Sequence, residues 1–100
     1  MLETRNGIDF YRLDDHPSYV VTSLGDVINI NKMKRLKPVK DSRGYLRVKL
    51  NGESFLVARL IAEQFVPNPE GKEKVTYIDG NRTNVAATNL KWADNSEIQY

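Results

Sequence analysis

The chain has 100 residues, no cysteine and a formal net charge of +2 at pH 7, from 15 Lys and Arg against 13 Asp and Glu. This length suits one domain with a modest core, and the lack of cysteine excludes disulfides and thiolate zinc sites. No stretch approaches the ~20 apolar residues of a membrane span, and the N-terminal residues lack the apolar run of a signal peptide. We therefore expect a soluble, cytosolic protein without a membrane partner.

Residues 1–18 are polar and rich in turn-forming residues, and residues 14–16 place two carboxylates beside the single histidine, His16. Such a cluster could bind a metal, but adjacent residues rarely converge on one ion without a third fixed ligand. A surface turn before a strand explains it equally well. The following residues, 19–30, form two short β-type runs around Ser-Leu-Gly-Asp at 23–26, which predicts a β-hairpin.

Positive charge is concentrated in residues 32–49, here called the basic segment, which holds eight of the fifteen Lys and Arg against one acidic residue, Asp41. Residues 45–50 alternate with period two, so a strand here buries its aliphatic side and presents an aromatic ring and two cations outward. Such a face suits a phosphate backbone. The alternative is a solvated sheet face whose lysines only keep the edge soluble.

We predict nucleic-acid contact from ten residues of this segment and the helix after it: Lys32, Lys34, Arg35, Lys37, Lys40, Arg43, Tyr45, Arg47, Lys49 and Arg59. For Arg59, a role in holding the following loop by hydrogen bonds is an equal alternative.

Asn51-Gly52 predicts a tight hairpin turn. Beyond it, apolar residues at helical spacing predict a helix up to Pro67, which removes an amide donor. Residues 75–78 and 90–93 then read as two strands around a polar loop that opens with Asp-Gly-Asn at 79–81. Residues 94–97 have the form of a capping box, which predicts the start of a second helix.

The block from Val75 to Trp92 resembles the HNH endonuclease family in its phage and intron homing branch, whose pattern is close to V-N/D-H-I-D-G-N-K-x-N-N-x-x-x-N-L-x-W-V-T-x-x-x-N. The chain keeps Val75, residues 78–81, Asn84, residues 89–90 and Trp92. Tyr19, Val21, Gly25 and Val27 resemble the nuclease-associated modular domain that precedes HNH in those enzymes, and residues 44–69 resemble the family's strand-turn-strand-helix segment.

This resemblance implies an α+β fold, with a small N-terminal antiparallel β-sheet and one helix followed by a degenerate ββα-metal motif. We expect a single compact domain over residues 1–100. Residues 1–50 would form the nuclease-associated β module, and residues 51–100 the HNH-like portion. The resemblance also implies that Asp79, Asn81, Asn84 and Asn89 order the loop between the two strands.

The catalytic positions of the family are changed. The resemblance puts Thr76 and Ile98 where the family has metal ligands, and Tyr77 where it has the general-base histidine. A phenol titrates near pH ~10, Ile98 has no lone pair, and a threonine hydroxyl is a poor ligand for a hard dication. We therefore expect no catalytic residue, no metal and no other cofactor.

Three functions remain open. The chain could be a catalytically inactive phage-type protein that binds DNA, or a modulator of a host nucleic-acid enzyme that binds protein through the altered face around Tyr77 and Ile98. A nuclease with relocated ligands would use Asp79, Asp94 or Asn95. If the protein is phage-encoded, it would act in the host cytoplasm.

Overall fold

The protein was studied as a computed structural model, which describes residues 2–94. The predicted capping box after Asp94, and the positions Asn95 and Ile98, lie outside the described residues. No helix among the described residues is long and apolar enough to span a membrane.

The N-terminal part is a five-stranded antiparallel sheet whose strands follow one another in chain order. Its strands are β1 (Leu2–Arg5), β2 (Ile8–Arg12), β3 (Tyr19–Thr22), β4 (Val27–Asn29) and β5 (Lys34–Arg35). The β3–β4 pair is the hairpin predicted from residues 19–30, and Val21 lies opposite Val27.

Two of these strands replace what the sequence suggested was only a polar, turn-rich stretch. Strands β1 and β2 are joined at Asn6-Gly7, where both residues have positive φ (53° and 79°), as a two-residue hairpin turn requires. The sequence does not predict these strands because β1 contains a single apolar residue, Leu2, and Phe10 and Tyr11 are adjacent in β2, so neither strand shows a clear period-two pattern.

The described residues after β5 add a three-stranded sheet, one helix and a hairpin. The elements are β6 (Val39–Lys40), β7 (Leu46–Leu50), β8 (Glu53–Leu56), α1 (Val57–Phe65), β9 (Lys74–Tyr77) and β10 (Leu90–Ala93), with a short 3₁₀ helix at Ala87–Asn89. Strands β6, β7 and β8 pair in that order, and β9 pairs with β10. The architecture confirms the predicted α+β class.

The β7–β8 hairpin turns at Asn51 and Gly52, both with positive φ (52° and 87°), as the Asn-Gly signal predicts. The division expected between residues 50 and 51 therefore falls inside one hairpin. Helix α1 follows β8 directly and ends before Pro67, with the Val66 amide donating to the Ala62 carbonyl.

One apolar core joins all three sheets to the helix. Its buried members include Val21 and Val27 of the first sheet, Val48 and Leu50 of the second, Val57 and Ile61 of α1, and Leu90 and Trp92 of β10. The Trp92 indole nitrogen also donates to the Val66 carbonyl at 3.0 Å. The β9–β10 hairpin therefore packs against helix α1 and is hydrogen-bonded to the residue that follows it.

The β3–β4 turn packs directly on the loop between β9 and β10. A Cβ atom on Gly25 would lie 2.7 Å from Val85 Cγ2 and 2.8 Å from the Val85 carbonyl oxygen. Beside this contact, the Ala87 amide donates to the Ser23 carbonyl at 2.9 Å. The N-terminal sheet thus supports the loop between β9 and β10 (residues 78–89, here called the HNH-like loop), and the contact requires glycine at residue 25.

We predict that Gly25→Ala lowers the free energy of unfolding by about 3 kcal/mol, because left-handed strain (φ +98°) adds to the clash with Val85. Gly52→Ala is the matched control, since its φ is +87° but nothing lies within 4 Å of the added Cβ. The control should lose only about 1–2 kcal/mol. Urea unfolding followed by Trp92 fluorescence measures both, and equal losses would contradict the close packing at Gly25.

Candidate nucleic-acid interface

The loop between β9 and β10 is organised by the side chain of Asn89. Its amide nitrogen donates to Asp79 Oδ1 and to the Asn84 carbonyl, both at 2.9 Å, and its Oδ1 accepts from the Asp79 amide at 3.0 Å. Asn89 is one of the few buried polar residues, with all its polar atoms hydrogen-bonded. It therefore fastens the start of the loop to its end.

Asp79 is the second centre of this network. Its Oδ1 accepts from the Asn81 amide at 2.7 Å, and its Oδ2 accepts from Asn84 Nδ2 at 3.0 Å. Asn81 in turn accepts from the Thr83 amide and hydroxyl. The hydrogen bond from Asn84, followed by those from Asn81 and Asn89, lowers the pKa of Asp79. The structure thus brings the four predicted loop residues into one network.

The β9 strand ends at Thr76 and Tyr77, the two altered positions that the structure describes. The Thr76 hydroxyl donates to the Lys91 carbonyl across the hairpin at 3.3 Å. The Tyr77 ring stacks on Tyr45, with centroids 5.9 Å apart and an interplanar angle of 24°. Burial, with a smaller contribution from Tyr45, raises the pKa of Tyr77 to about 12. Its phenol is therefore protonated at neutral pH.

Arg82 belongs to this site, although it is not among the predicted nucleic-acid contacts. Its guanidinium carbon lies 4.6 Å from the centroid of the Tyr45 ring, and its Nη1 donates to the Arg43 carbonyl. The available signal was its place in the motif, because Arg82 follows Asp-Gly-Asn where the family pattern has lysine. The contact joins the basic segment to the HNH-like loop.

The basic segment contributes one edge strand to each of two sheets. Strand β5 is one of the two outer strands of the first sheet, β6 is one of the two outer strands of the second, and residues 36–38 connect them. Six of its cations are exposed and have no ion-pair partner within the part of the chain that the structure describes: Lys32, Lys34, Lys37, Lys40, Arg43 and Lys49. Their charge is therefore available to a ligand.

The remaining predicted cations have partners inside the protein. Arg35 lies 3.5 Å from Asp26, and Arg47 donates through Nε to Asp41 Oδ2 at 3.0 Å. Partial desolvation opposes ionisation of Asp41, but hydrogen bonds from Arg47 and two backbone amides outweigh it and lower the pKa of Asp41. Arg47 is therefore not the free outward cation that strand alternation suggested.

Arg59 lies apart from the basic segment and contacts the hairpin. Its Nη1 donates to the Glu73 carbonyl at 2.7 Å, and its guanidinium lies 5.6 Å from the Trp92 ring centroid. Both contacts match the alternative in which Arg59 holds the loop after the helix.

The histidine considered as a metal ligand packs against an aromatic ring. His16 lies edge-on to Phe55 with centroids 5.1 Å apart, and its Nδ1 is 3.5 Å from Asn51 Nδ2. Among residues 2–94 no three His, Cys, Asp or Glu side chains lie close enough together to hold a metal ion.

The chain is similar in sequence to known proteins. The chain is 33% identical over 94 residues to an uncharacterised HNH endonuclease of Acanthamoeba polyphaga mimivirus, covering 90% of this chain and 28% of the relative. It is 37% identical over 78 residues to the DNA endonuclease I-HmuI of Bacillus phage SP01, covering 74% of this chain and 45% of that enzyme. No protein-family model matches the chain.

A solved structure gives the same result. The structure describing DNA binding and cleavage by the HNH homing endonuclease I-HmuI matches with a TM-score of 0.76 and 31% identity, over 87% of this chain and 53% of that one. With the ordered Asp-Gly-Asn loop, these matches define the class, and the chain belongs to the HNH endonuclease-like family. Within that family it is similar to I-HmuI, although it spans only about half the length, or less, of the relatives it matches.

We predict that Asp79 stabilises the protein in a pH-dependent way. Because its pKa is lower in the folded state than the ~3.9 of an unfolded chain, its contribution is present above about pH 4 and is lost as the pH falls through the folded value. Asp79→Asn should therefore be less stable than the parent protein at pH 6, and the difference should shrink towards pH 2–3.

Urea unfolding between pH 2 and pH 6 measures this difference. Asp14→Asn is the control, because Asp14 is exposed and has no hydrogen bond or ion pair with the described residues. A difference between Asp79→Asn and the parent that stays constant with pH would contradict the prediction.

We predict that Arg59→Ala destabilises the fold by about 1–2 kcal/mol, since it removes the bond to the Glu73 carbonyl and the contact with Trp92. Arg12→Ala, which removes an exposed arginine without such contacts among the described residues, should change stability by less than about 0.5 kcal/mol. Thermal unfolding distinguishes them, and equal melting temperatures would show that Arg59 does not hold the loop.

Proposed function

We propose that this chain is a DNA-binding module of the HNH homing-endonuclease type that does not itself hydrolyse DNA. The observation that carries the proposal is the set of six exposed cations on the basic segment, which have no ion-pair partner among residues 2–94 and lie near the ordered HNH-like loop. Cations of this kind bind a phosphate backbone by releasing its condensed counterions.

The competing explanation is that these lysines only keep two sheet edges soluble. Lys34 and Lys40 do lie on edge strands, so the explanation suits them. It does not account for Arg43 and Lys49, which lie off the edge strands in the same segment. The relative I-HmuI is described as binding and cleaving DNA, which adds support for a DNA partner.

The proposed absence of hydrolysis follows from the chemistry of the altered positions. HNH enzymes hold a divalent metal and use a neutral histidine as base, as the resemblance implies. Thr76 offers a neutral hydroxyl that donates to Lys91, and Tyr77 offers a protonated phenol. These two groups do not suit a hard dication, which prefers carboxylate oxygens. Ile98, outside the described residues, has a hydrocarbon side chain.

The described part of the loop gives little support to a metal site built from ligands at other positions. Both carboxylate oxygens of Asp79 already accept hydrogen bonds, from Asn81, Asn84 and Asn89. A metal at Asp79 would have to displace amides that order the loop. We therefore derive no metal-assisted step for this chain.

A second candidate is favoured by one observation. Ile78 is 65% exposed at the end of β9, beside the altered positions, and an exposed aliphatic side chain suits a protein interface. In this alternative the chain modulates a host nucleic-acid enzyme. Tyr77 contributes less to such a surface than the sequence suggested, because Tyr45 covers part of its ring.

We predict salt-dependent DNA binding that is weakened by charge reversal in the basic segment. With four to six phosphates neutralised, the logarithm of the binding constant should fall with the logarithm of salt concentration with a slope of about −4 to −5. The double variant Lys34→Glu, Lys37→Glu should bind at least about tenfold more weakly, with a shallower slope.

Fluorescence anisotropy with a 30-base-pair duplex between 50 and 200 mM salt measures both quantities. Lys74→Glu, an exposed reversal outside the basic segment, is the control and should resemble the parent protein. Equal weakening by the control would show that only net charge matters. Nicking of supercoiled plasmid with Mg²⁺ or Mn²⁺, abolished by Asp79→Ala, would overturn the proposed lack of hydrolysis.

A further inference from the structure

We propose that Arg82 is a fixed phosphodiester-binding group, positioned by Tyr45, that lets this module hold a DNA backbone without a metal ion. The inference rests on the DNA-binding function proposed above and adds to it a specific residue and a metal-independent mode of contact.

Arg82 is held from two sides. Its guanidinium lies over the Tyr45 ring, 4.6 Å from the ring centroid, and its Nη1 donates to the Arg43 carbonyl. The same Tyr45 ring stacks on Tyr77, the residue at the general-base position of the family pattern. A permanent positive charge is therefore fixed one aromatic ring away from Tyr77, the position of the family's general base.

The guanidinium keeps donors for a ligand. Arginine has five N–H donors in a planar fork, and the Arg43 carbonyl uses one nitrogen. The side chain is exposed, so a phosphate can approach the remaining donors and accept two parallel hydrogen bonds. Because Tyr45 and the Arg43 carbonyl already restrict the side chain, less conformational freedom is lost on binding than for a mobile arginine.

Neither of two nearby carboxylates, Asp41 and Asp79, forms an ion pair with Arg82. Asp41, the one carboxylate of the basic segment, is occupied by Arg47 at 3.0 Å. Asp79, in the same loop as Arg82, is hydrogen-bonded by the amides of Asn81, Asn84 and Asn89. The guanidinium would repel a dication at this site, and the described residues offer no carboxylate cluster to bind one. A phosphate, in contrast, could accept hydrogen bonds from the guanidinium.

The test uses the full chain, a 30-base-pair duplex and anisotropy in EDTA. We expect EDTA to leave parent binding unchanged, and Arg82→Ala to weaken binding five- to tenfold and reduce the magnitude of the salt slope by about 0.9. Arg82→Lys, which keeps the charge but loses the planar fork, should keep the slope and recover only part of the affinity. Lys74→Ala is the control and should match the parent.

A double-mutant cycle tests the positioning by Tyr45. Tyr45→Leu should weaken binding when Arg82 is present and have no further effect in the Arg82→Ala background. Tyr45→Phe keeps the ring face that contacts Arg82, so it should weaken binding less than Tyr45→Leu does. Additive losses would show that Tyr45 acts independently of Arg82 and would overturn its positioning role.

The outcomes separate this inference from the proposed function. Parent protein that binds no DNA overturns both. Binding that is lost on reversal of Lys34 and Lys37 but is unchanged by Arg82→Ala overturns only the role of Arg82, as does parent binding that EDTA abolishes. Should Arg82→Ala unfold, as judged by circular dichroism, Arg82→Gln provides the neutral variant, and an unchanged salt slope in it overturns the inference.

Discussion

The side-chain amide of Asn89 is the interaction on which the site depends. Asn89 lies at the end of the loop between β9 and β10, and it bonds both to Asp79 at the loop's beginning and to the Asn84 carbonyl at its middle. A buried amide with all its groups satisfied specifies one conformation, because any other leaves polar atoms unpaired. Arg82, between those two points, is therefore presented by a loop with a defined shape.

Next to that loop, the end of β9 contacts the basic segment through Tyr77. Tyr45 belongs to the basic segment and Tyr77 to β9, and their stacked rings join the second sheet to the hairpin. Arg82 contacts the ring of Tyr45 and the backbone of Arg43. The HNH-like scaffold thus carries an aromatic and cationic cluster that includes Tyr77, at the general-base position of the family pattern.

Much of the fold could be predicted because its signals are local. The Asn51-Gly52 turn, the alternation over residues 45–50 and the helix before Pro67 each depend on residues close in sequence, and all three are present in the structure. The β1–β2 hairpin is not predicted, although Asn6-Gly7 carries the same turn signal, because the flanking strands lack a clear alternation of apolar and polar residues.

The site was less predictable because its contacts join distant parts of the chain. Alternation placed Arg47 outward, but it could not reveal that the side chain would reach Asp41. The bond from Arg82 to the Arg43 carbonyl spans 39 residues, and no sequence periodicity indicates such a contact. Motif residues identified the loop, whereas the partners of its cations required the tertiary structure.

The contact between Gly25 and Val85 has a consequence for how the molecule can be divided. The Ser23 carbonyl accepts a hydrogen bond from the loop between β9 and β10, and Gly25 leaves room for Val85 of that loop. We therefore expect that neither half of the chain would keep this packing alone. A fragment beginning after residue 50 would leave Val85 facing water and the Ala87 amide without its acceptor. A recombinant protein with a different N-terminal sheet would need a glycine at the position of Gly25 in the β3–β4 turn.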